Sequence, residues 1–376
     1  MSNTIVRAAV AGLALLLAAC AGGAVAQTGA AARAGAGAPA ADLLYVCNQD
    51  DATIDVIDIG TLAVVRTIRL QELGFGPTAK PHHIVVEPDG SFWYVSLIGA
   101  NRVLKFDAND RLVGQLPFET PGMLALHPTE DLLFVGRSMT AVNPPQRIGV
   151  IRRGSMSGIE EVDIFFPRPH AVAVGPRSGI VYTASLGVNQ MASVDPASER
   201  VELTPLTGPQ HALMQFAVSP DGRTLVGSGE LSHQLLVFDL TDAMKPRLAR
   251  SIDIGPQPFD PVFTRDGRWV YLGNKAANTV TVIDAGDWAV ETVIENAGLA
   301  QPHGTVVSPD GRYVFVSNNN LRDAAHAMHG GAAPTPQPAG AGGRGTIVVF
   351  DAATHAVVKV IEVGRNATGI GARQPG

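Results

Sequence analysis

Short apolar runs rich in Val, Ile, Tyr and Phe alternate along this chain with clusters of Pro, Asp, Gly and Asn. Runs of that kind predict β-strands, and the clusters between them predict tight turns. The clearest unit is an apolar strand, a Pro-Asp-Gly turn, a Tyr-Val strand and a strand of the form Asn-Thr-Val-x-Val-Ile-Asp. It reads at Val306-Val307-Ser308-Pro309-Asp310-Gly311-Arg312-Tyr313-Val314 and returns at Ala217-Val218-Ser219-Pro220-Asp221-Gly222. It also returns at Val85-Val86-Glu87-Pro88-Asp89-Gly90 and, in weaker form, at Thr264-Arg265-Asp266-Gly267. The following strand appears as Thr53-Ile54-Asp55-Val56-Ile57-Asp58, Asn278-Thr279-Val280-Thr281-Val282-Ile283-Asp284 and Thr346-Ile347-Val348-Val349-Phe350-Asp351. Asp58, Asp107, Asp239, Asp284 and Asp351 end third strands in register, where a carboxylate caps the next turn.

Four strands per repeat of roughly 40 residues is the pattern of a propeller blade. A single such sheet exposes two apolar faces, so blades must stack in a ring to bury both. Inner strands begin near His82, Gly122, His170, Ala212, Phe259, His303 and Thr368, which predicts an all-β, seven-bladed β-propeller over residues 42–373. The first repeat, from Leu43 to Leu70, lacks an inner strand, whereas Thr368-Gly369-Ile370-Gly371-Ala372 has no strands after it. The C-terminal strand is therefore expected to complete the N-terminal blade and close the ring.

These units resemble the YVTN family of propeller repeats through Tyr45-Val46-Cys47-Asn48, Val270-Tyr271-Leu272-Gly273-Asn274 and Val314-Phe315-Val316-Ser317-Asn318. The resemblance covers nearly the whole chain after residue 41. It implies the propeller fold and leaves function open among secreted binding proteins, surface-layer proteins and lactonase-like enzymes. Related propellers carry haem d1 in nitrite reductases or a histidine-ligated copper cluster in nitrous oxide reductase.

The repeat register assigns each histidine to a face of the disc. His82, His170 and His303 each follow a proline and stand six residues before Pro88, Pro176 and Pro309, so they open inner strands at one mouth. His83 is next in line, and His211 sits in the loop leading to the corresponding strand. His233 lies in a second-to-third-strand loop on the same face, as do His326, Met328 and His329 in a Gly/Pro-rich insertion at residues 321–344. Only His127 and His355 fall on the opposite face. Converging imidazoles suit copper, zinc or iron, so His82, His83, His170, His211, His303, His326, Met328 and His329 are the candidate ligands. The His82-His83 pair looks like the pair that opens an inner strand in the nitrous oxide reductase cluster domain. Gly122, Met214, Phe259 and Thr368 occupy the other register positions, which leaves too few ligands for such a cluster. The competing reading is structural, with each Pro-His bonding neighbouring backbone and sealing the ring. Asp260, beside Phe259, is a further candidate ligand or a turn carboxylate.

Composition narrows function by exclusion. With 28 Lys and Arg against 34 Asp and Glu, dispersed along the chain, no basic footprint for nucleic acid exists. The two cysteines, Cys20 and Cys47, allow no disulfide framework, and a Cys-x-x-Cys-His haem attachment motif is missing. Cys47 is expected to be a buried thiol. Residues 1–26 read as an export signal: Arg7, an apolar run from Ala8 to Ala19, then small residues. Two cleavage sites compete, Leu17-Ala18-Ala19-Cys20, which would leave Cys20 lipidated, and Ala24-Val25-Ala26. Residues 27–41 then form a flexible tether. The expectation is a monomeric periplasmic or cell-surface protein that meets a membrane only through an N-terminal lipid. Its ligand at the mouth would be an unidentified protein or small molecule. No nucleophile elbow, phosphate loop or nucleotide fingerprint is present.

Overall fold

Each repeat folds as a four-stranded antiparallel sheet, and there are seven of them. The computed structural model describes residues 42–139, 143, 146–321 and 343–373. The export signal, Cys20, the tether, and His326, Met328 and His329 lie outside the described residues. Blade 1 joins Leu43–Asn48, Thr53–Asp58 and Ala63–Arg69 to the C-terminal strand Ala367–Ala372, which pairs with Leu43–Asn48. Blades 2 to 7 follow in order, their inner strands being Pro81–Val86, Pro121–Leu126, Pro169–Val174, Leu213–Val218, Val262–Phe263 and Pro302–Val307. The ring thus closes through a blade made from both chain ends, and the expected topology holds strand for strand.

Side-chain alternation explains the packing. In Leu43–Asn48, Leu44 and Val46 enter the core shared with blade 7, whereas Tyr45 and Cys47 enter the core shared with blade 2. Every one of the seven blade interfaces holds such a cluster of buried apolar residues. Burial pushes the Cys47 thiol well above its ordinary pKa, consistent with an inert core residue.

The turns behave as their residues dictate. Gly311 takes φ +75° and donates to the Ser308 carbonyl at 2.9 Å, while Asp310 Oδ1 accepts from Arg312 N–H at 3.0 Å. The third-strand aspartates accept backbone N–H groups, as at Asp58 from Thr61 and at Asp351 from Ala353 and Thr354. The turn from third to outer strand repeats a left-handed residue: Leu62, Asp110, Met156, Glu199, Trp288 and His355. In blade 2 that residue bridges to the preceding blade, since Asp110 accepts from Tyr45 Oη at 2.9 Å and also from Trp93 Nε1 at 3.0 Å. Leu62, Met156 and Trp288 instead enter or border the core of the interface with the preceding blade.

One further repeated feature positions the site. In blades 2, 3, 4, 5 and 7 the inner strand pairs at its first residue, then shifts register before resuming. A bulge of this kind bends the strand and re-aims the residues it contains. The residue just inside it is His82, Gly122, His170, Met214 or His303.

Candidate functional site

The mouth of the ring is lined by two tiers of residues. The first tier is the position after each inner strand's opening residue: Thr368, His82, Gly122, His170, Met214, Phe259 and His303. The second tier is the residue that follows each second strand: Gln49, Ile98, Ser138, Leu186, Glu230, Lys275 and Asn319. Hydrogen bonds tie the tiers together, with the Gln49 carboxamide 2.9 Å from His82 Nδ1.

His82, His170 and His303 come together. The His82 ring centre lies 6.0 Å from that of His303 and 6.5 Å from that of His170. The interposed register positions carry Thr368 and Gly122, small enough to leave the rings facing across them. A Cβ on Gly122 would meet the Arg137 carbonyl at 2.7 Å, so that position tolerates no side chain. His170 bonds the Met214 carbonyl through Nδ1 at 2.8 Å, which fixes its tautomer with the lone pair on Nε2. His82 Nε2 and His303 Nδ1 are buried and have no hydrogen-bond partner among the described residues. Burial first, then His170 beside His82 and Lys275 beside His303, hold both rings well below the ordinary imidazole pKa, so they are neutral at pH 7.

The other sequence candidates separate from this group. His83 accepts from Leu124 N–H at 3.2 Å, and burial followed by His170 lowers its pKa to about 4. His211 has both ring nitrogens engaged, Nδ1 with Ser232 Oγ at 2.9 Å and Nε2 with the Thr207 carbonyl at 3.0 Å. Its ring ties down the loop before blade 5. His233 is exposed; on the opposite face His127 accepts from the Glu130 N–H of its turn, and the His355 ring meets the Tyr271 hydroxyl. Among the described residues, no group of three or more His, Cys, Asp or Glu side chains stands around a common point in a way that could hold a metal ion.

Charged groups that the sequence reading passed over complete the mouth. Lys275 is 5% exposed, and its amine lies 4.5 Å from the centre of the Phe259 ring, whose other neighbour is His303 at 4.7 Å. Burial lowers the Lys275 pKa to about 8, against the pull of Glu230 and Asp260. Asp260 is 7% exposed; burial raises its pKa to about 7 even though Lys275 opposes the shift. Glu230 is also buried. Leu186, Ala212, Met214 and Phe259 form an apolar wall beside these charges. Aligning the residue after each second strand would have exposed Lys275 and Glu230, because Asn274-Lys275 and Gly229-Glu230 repeat the place of Asn48-Gln49.

Comparison with known proteins agrees with the fold. Residues 144–327 match the sequence profile of the family described as "Lactonase, 7-bladed beta-propeller". No curated protein matches the chain. A functionally unknown protein from Desulfotomaculum acetoxidans DSM 771 superposes with TM-score 0.68 at 14% identity, over 89% of this chain and 100% of that one. The dihydro-heme d1 dehydrogenase NirN in complex with DHE gives TM-score 0.57 at 17% identity, over 90% of this chain and 77% of that one. Streptogramin B lyase gives 0.59 at 15% identity, over 74% and 91%. At these identities the likeness is one of fold, and it accords with a seven-bladed propeller built from YVTN-like repeats.

Proposed function

We propose that this chain is an exported, noncatalytic binding propeller of the periplasm or cell surface, with its ligand seated at the two-tiered mouth. The observation that carries the reading is the pair of buried nitrogens, His82 Nε2 and His303 Nδ1, with no partner among the described residues. Each unsatisfied buried group costs about 1–3 kcal/mol, a cost that an occupant offering the missing bond removes. The test is native mass spectrometry of protein purified from its own cell envelope, beside a His82→Ala/His303→Ala variant. A stoichiometric adduct that the folded variant loses supports the reading. A bare chain in both preparations sinks it.

A second reading has a specific basis in the neutral imidazoles, namely a copper, zinc or iron ion held by His82, His170 and His303. Two imidazoles on one ion at roughly 2.1 Å have ring centres about 5–6.5 Å apart, and the observed separations are 6.0 and 6.5 Å. The carbonyl contact at His170 Nδ1 is the kind of support that orients a metal-binding ring. The donors do not yet surround one point, so loading would require the rings to turn. Elemental analysis of the same preparations decides it: near-stoichiometric metal, lost in the variant, is the expected result on this reading. The lactonase description of the matching family instead directs attention to Asp260 and Glu230. Lactone turnover abolished by Asp260→Asn would replace the binding reading with a hydrolytic one.

A further inference from the structure

We infer that the side of the mouth formed by blades 4 to 6 is a subsite for a small apolar carboxylic acid bearing a hydroxyl or amino group next to its carboxylate. The inference rests on the reading of the mouth as a ligand site and names what that site takes.

Two observations point to the polar end of such a molecule. Lys275 is a buried residue, yet its amine makes no hydrogen bond or ion pair with any described residue; its near neighbour is the Phe259 ring. An ammonium has three protons to donate and no means of accepting, so a buried one without an acceptor is built for an incoming anion or is a source of instability. Asp260 is also a buried residue, near enough for its charge to act on Lys275, and none of the described residues donates to its carboxyl. The two groups attract each other without meeting in an ion pair. A carboxylate with an adjacent donor fills such a gap from both ends: its oxygens accept from Lys275, and its hydroxyl or amino group donates to Asp260.

The apolar end has its own surface. Leu186, Met214 and Phe259 form a buried cluster beside the charges, with Met139 packed against it. A leucine, an aromatic ring and two flexible methionines make an apolar surface suited to an aliphatic body of a few carbons. Neutral His82 and His303 border the same space without adding charge that would repel the ligand's amine.

Thermal shift and calorimetry on the full chain test the proposal with four probes of one carbon skeleton: leucine, 2-hydroxyisocaproate, isocaproate and isoamylamine. Leucine or 2-hydroxyisocaproate is expected to bind saturably, isocaproate at least tenfold more weakly, and isoamylamine not at all. Lys275→Met is expected to abolish binding of every carboxylate. Asp260→Asn is expected to erase the advantage over isocaproate. Binding of the amine as strongly as the acids, or no binding of any acid by the wild-type chain, overturns the proposal without recourse to a variant. If an envelope-derived adduct dependent on His82 and His303 is present while no acid binds, the carboxylate inference alone falls. If neither is found, the binding reading falls with it.

Discussion

Lys275 carries the sharpest consequence at the scale of a single residue. Its folded pKa of about 8 lies below the ordinary 10.5, because burial disfavours the charged form more than Glu230 and Asp260 favour it. The unfolded chain therefore holds the proton more tightly, and the group destabilises the fold at every pH below 8. As pH rises from 8 toward 10.5 the folded state sheds the proton that the unfolded chain still holds, and that destabilisation fades. Lys275→Met removes the buried charge and lets Asp260 stay neutral. It is expected to raise stability by about 1–3 kcal/mol at pH 7. Urea midpoints of the two proteins should converge between pH 8 and 10.5; a constant gap, or a less stable variant at pH 7, would contradict the account. A variant more stable yet unable to bind is the usual mark of a residue kept for function. This residue also shows where sequence reading stopped. Proline-histidine pairs announce themselves, whereas a lysine after a strand looks like any solvated loop cation. The same limit applies to His211, whose face was legible but whose two hydrogen bonds were not.

Between neighbouring elements, the repeated left-handed turn residue becomes an interblade bridge at Asp110. Its Oδ1 accepts from Tyr45 of blade 1 and from Trp93 of its own blade, and Oδ2 accepts from Arg66 Nε at 2.5 Å. Tyr45 and Trp93 also stack, with ring centres 4.5 Å apart. Asp110→Ala leaves a phenol and an indole N–H buried without an acceptor and places Ala at φ +59°. A loss of about 2–4 kcal/mol is expected from these terms together. Asp110→Asn keeps an acceptor oxygen and a residue suited to that backbone, so it should lose less than half as much by thermal or urea unfolding. Equal losses would mean that charge, rather than hydrogen bonding, carries the bridge. The strand and turn pattern was legible from the sequence because Pro-Asp-Gly and the alternating Val-Ile runs report local geometry. The bridge was not, because Asp110 differs from an ordinary turn aspartate only in what the preceding blade places opposite it.

The whole ring depends on blade 1 being made from both ends of the chain. Ala367–Ala372 pairs with Leu43–Asn48, and the junction is reinforced by Arg365 on Asp51 at 2.6 Å and by Gly364 N–H on Asp55 at 2.9 Å. Arg373 reaches Asp42 at 2.5 Å, so the two ends of the ring meet. Opening the molecule at this seam means tearing a strand from the sheet of blade 1, whereas each of the seven interfaces between blades joins separate sheets through side-chain packing. Deleting residues 366–376 exposes the edge of Leu43–Asn48 and the inner faces of its neighbours, so the truncated chain is expected to lose cooperative unfolding and to aggregate. A circular permutant separates the role of the strand from the role of the seam. Joining Arg373 to Asp42 by a short Gly/Ser linker and opening the chain between Pro256 and Gln257 keeps every strand but moves the break between blades 5 and 6. Such a permutant should fold with the wild-type circular dichroism spectrum and unfold at least tenfold faster in denaturant, because its break is closed by packing alone. Equal unfolding rates would show that the shared blade adds nothing to kinetic stability, and that packing between blades is enough to hold the ring and the mouth at its centre.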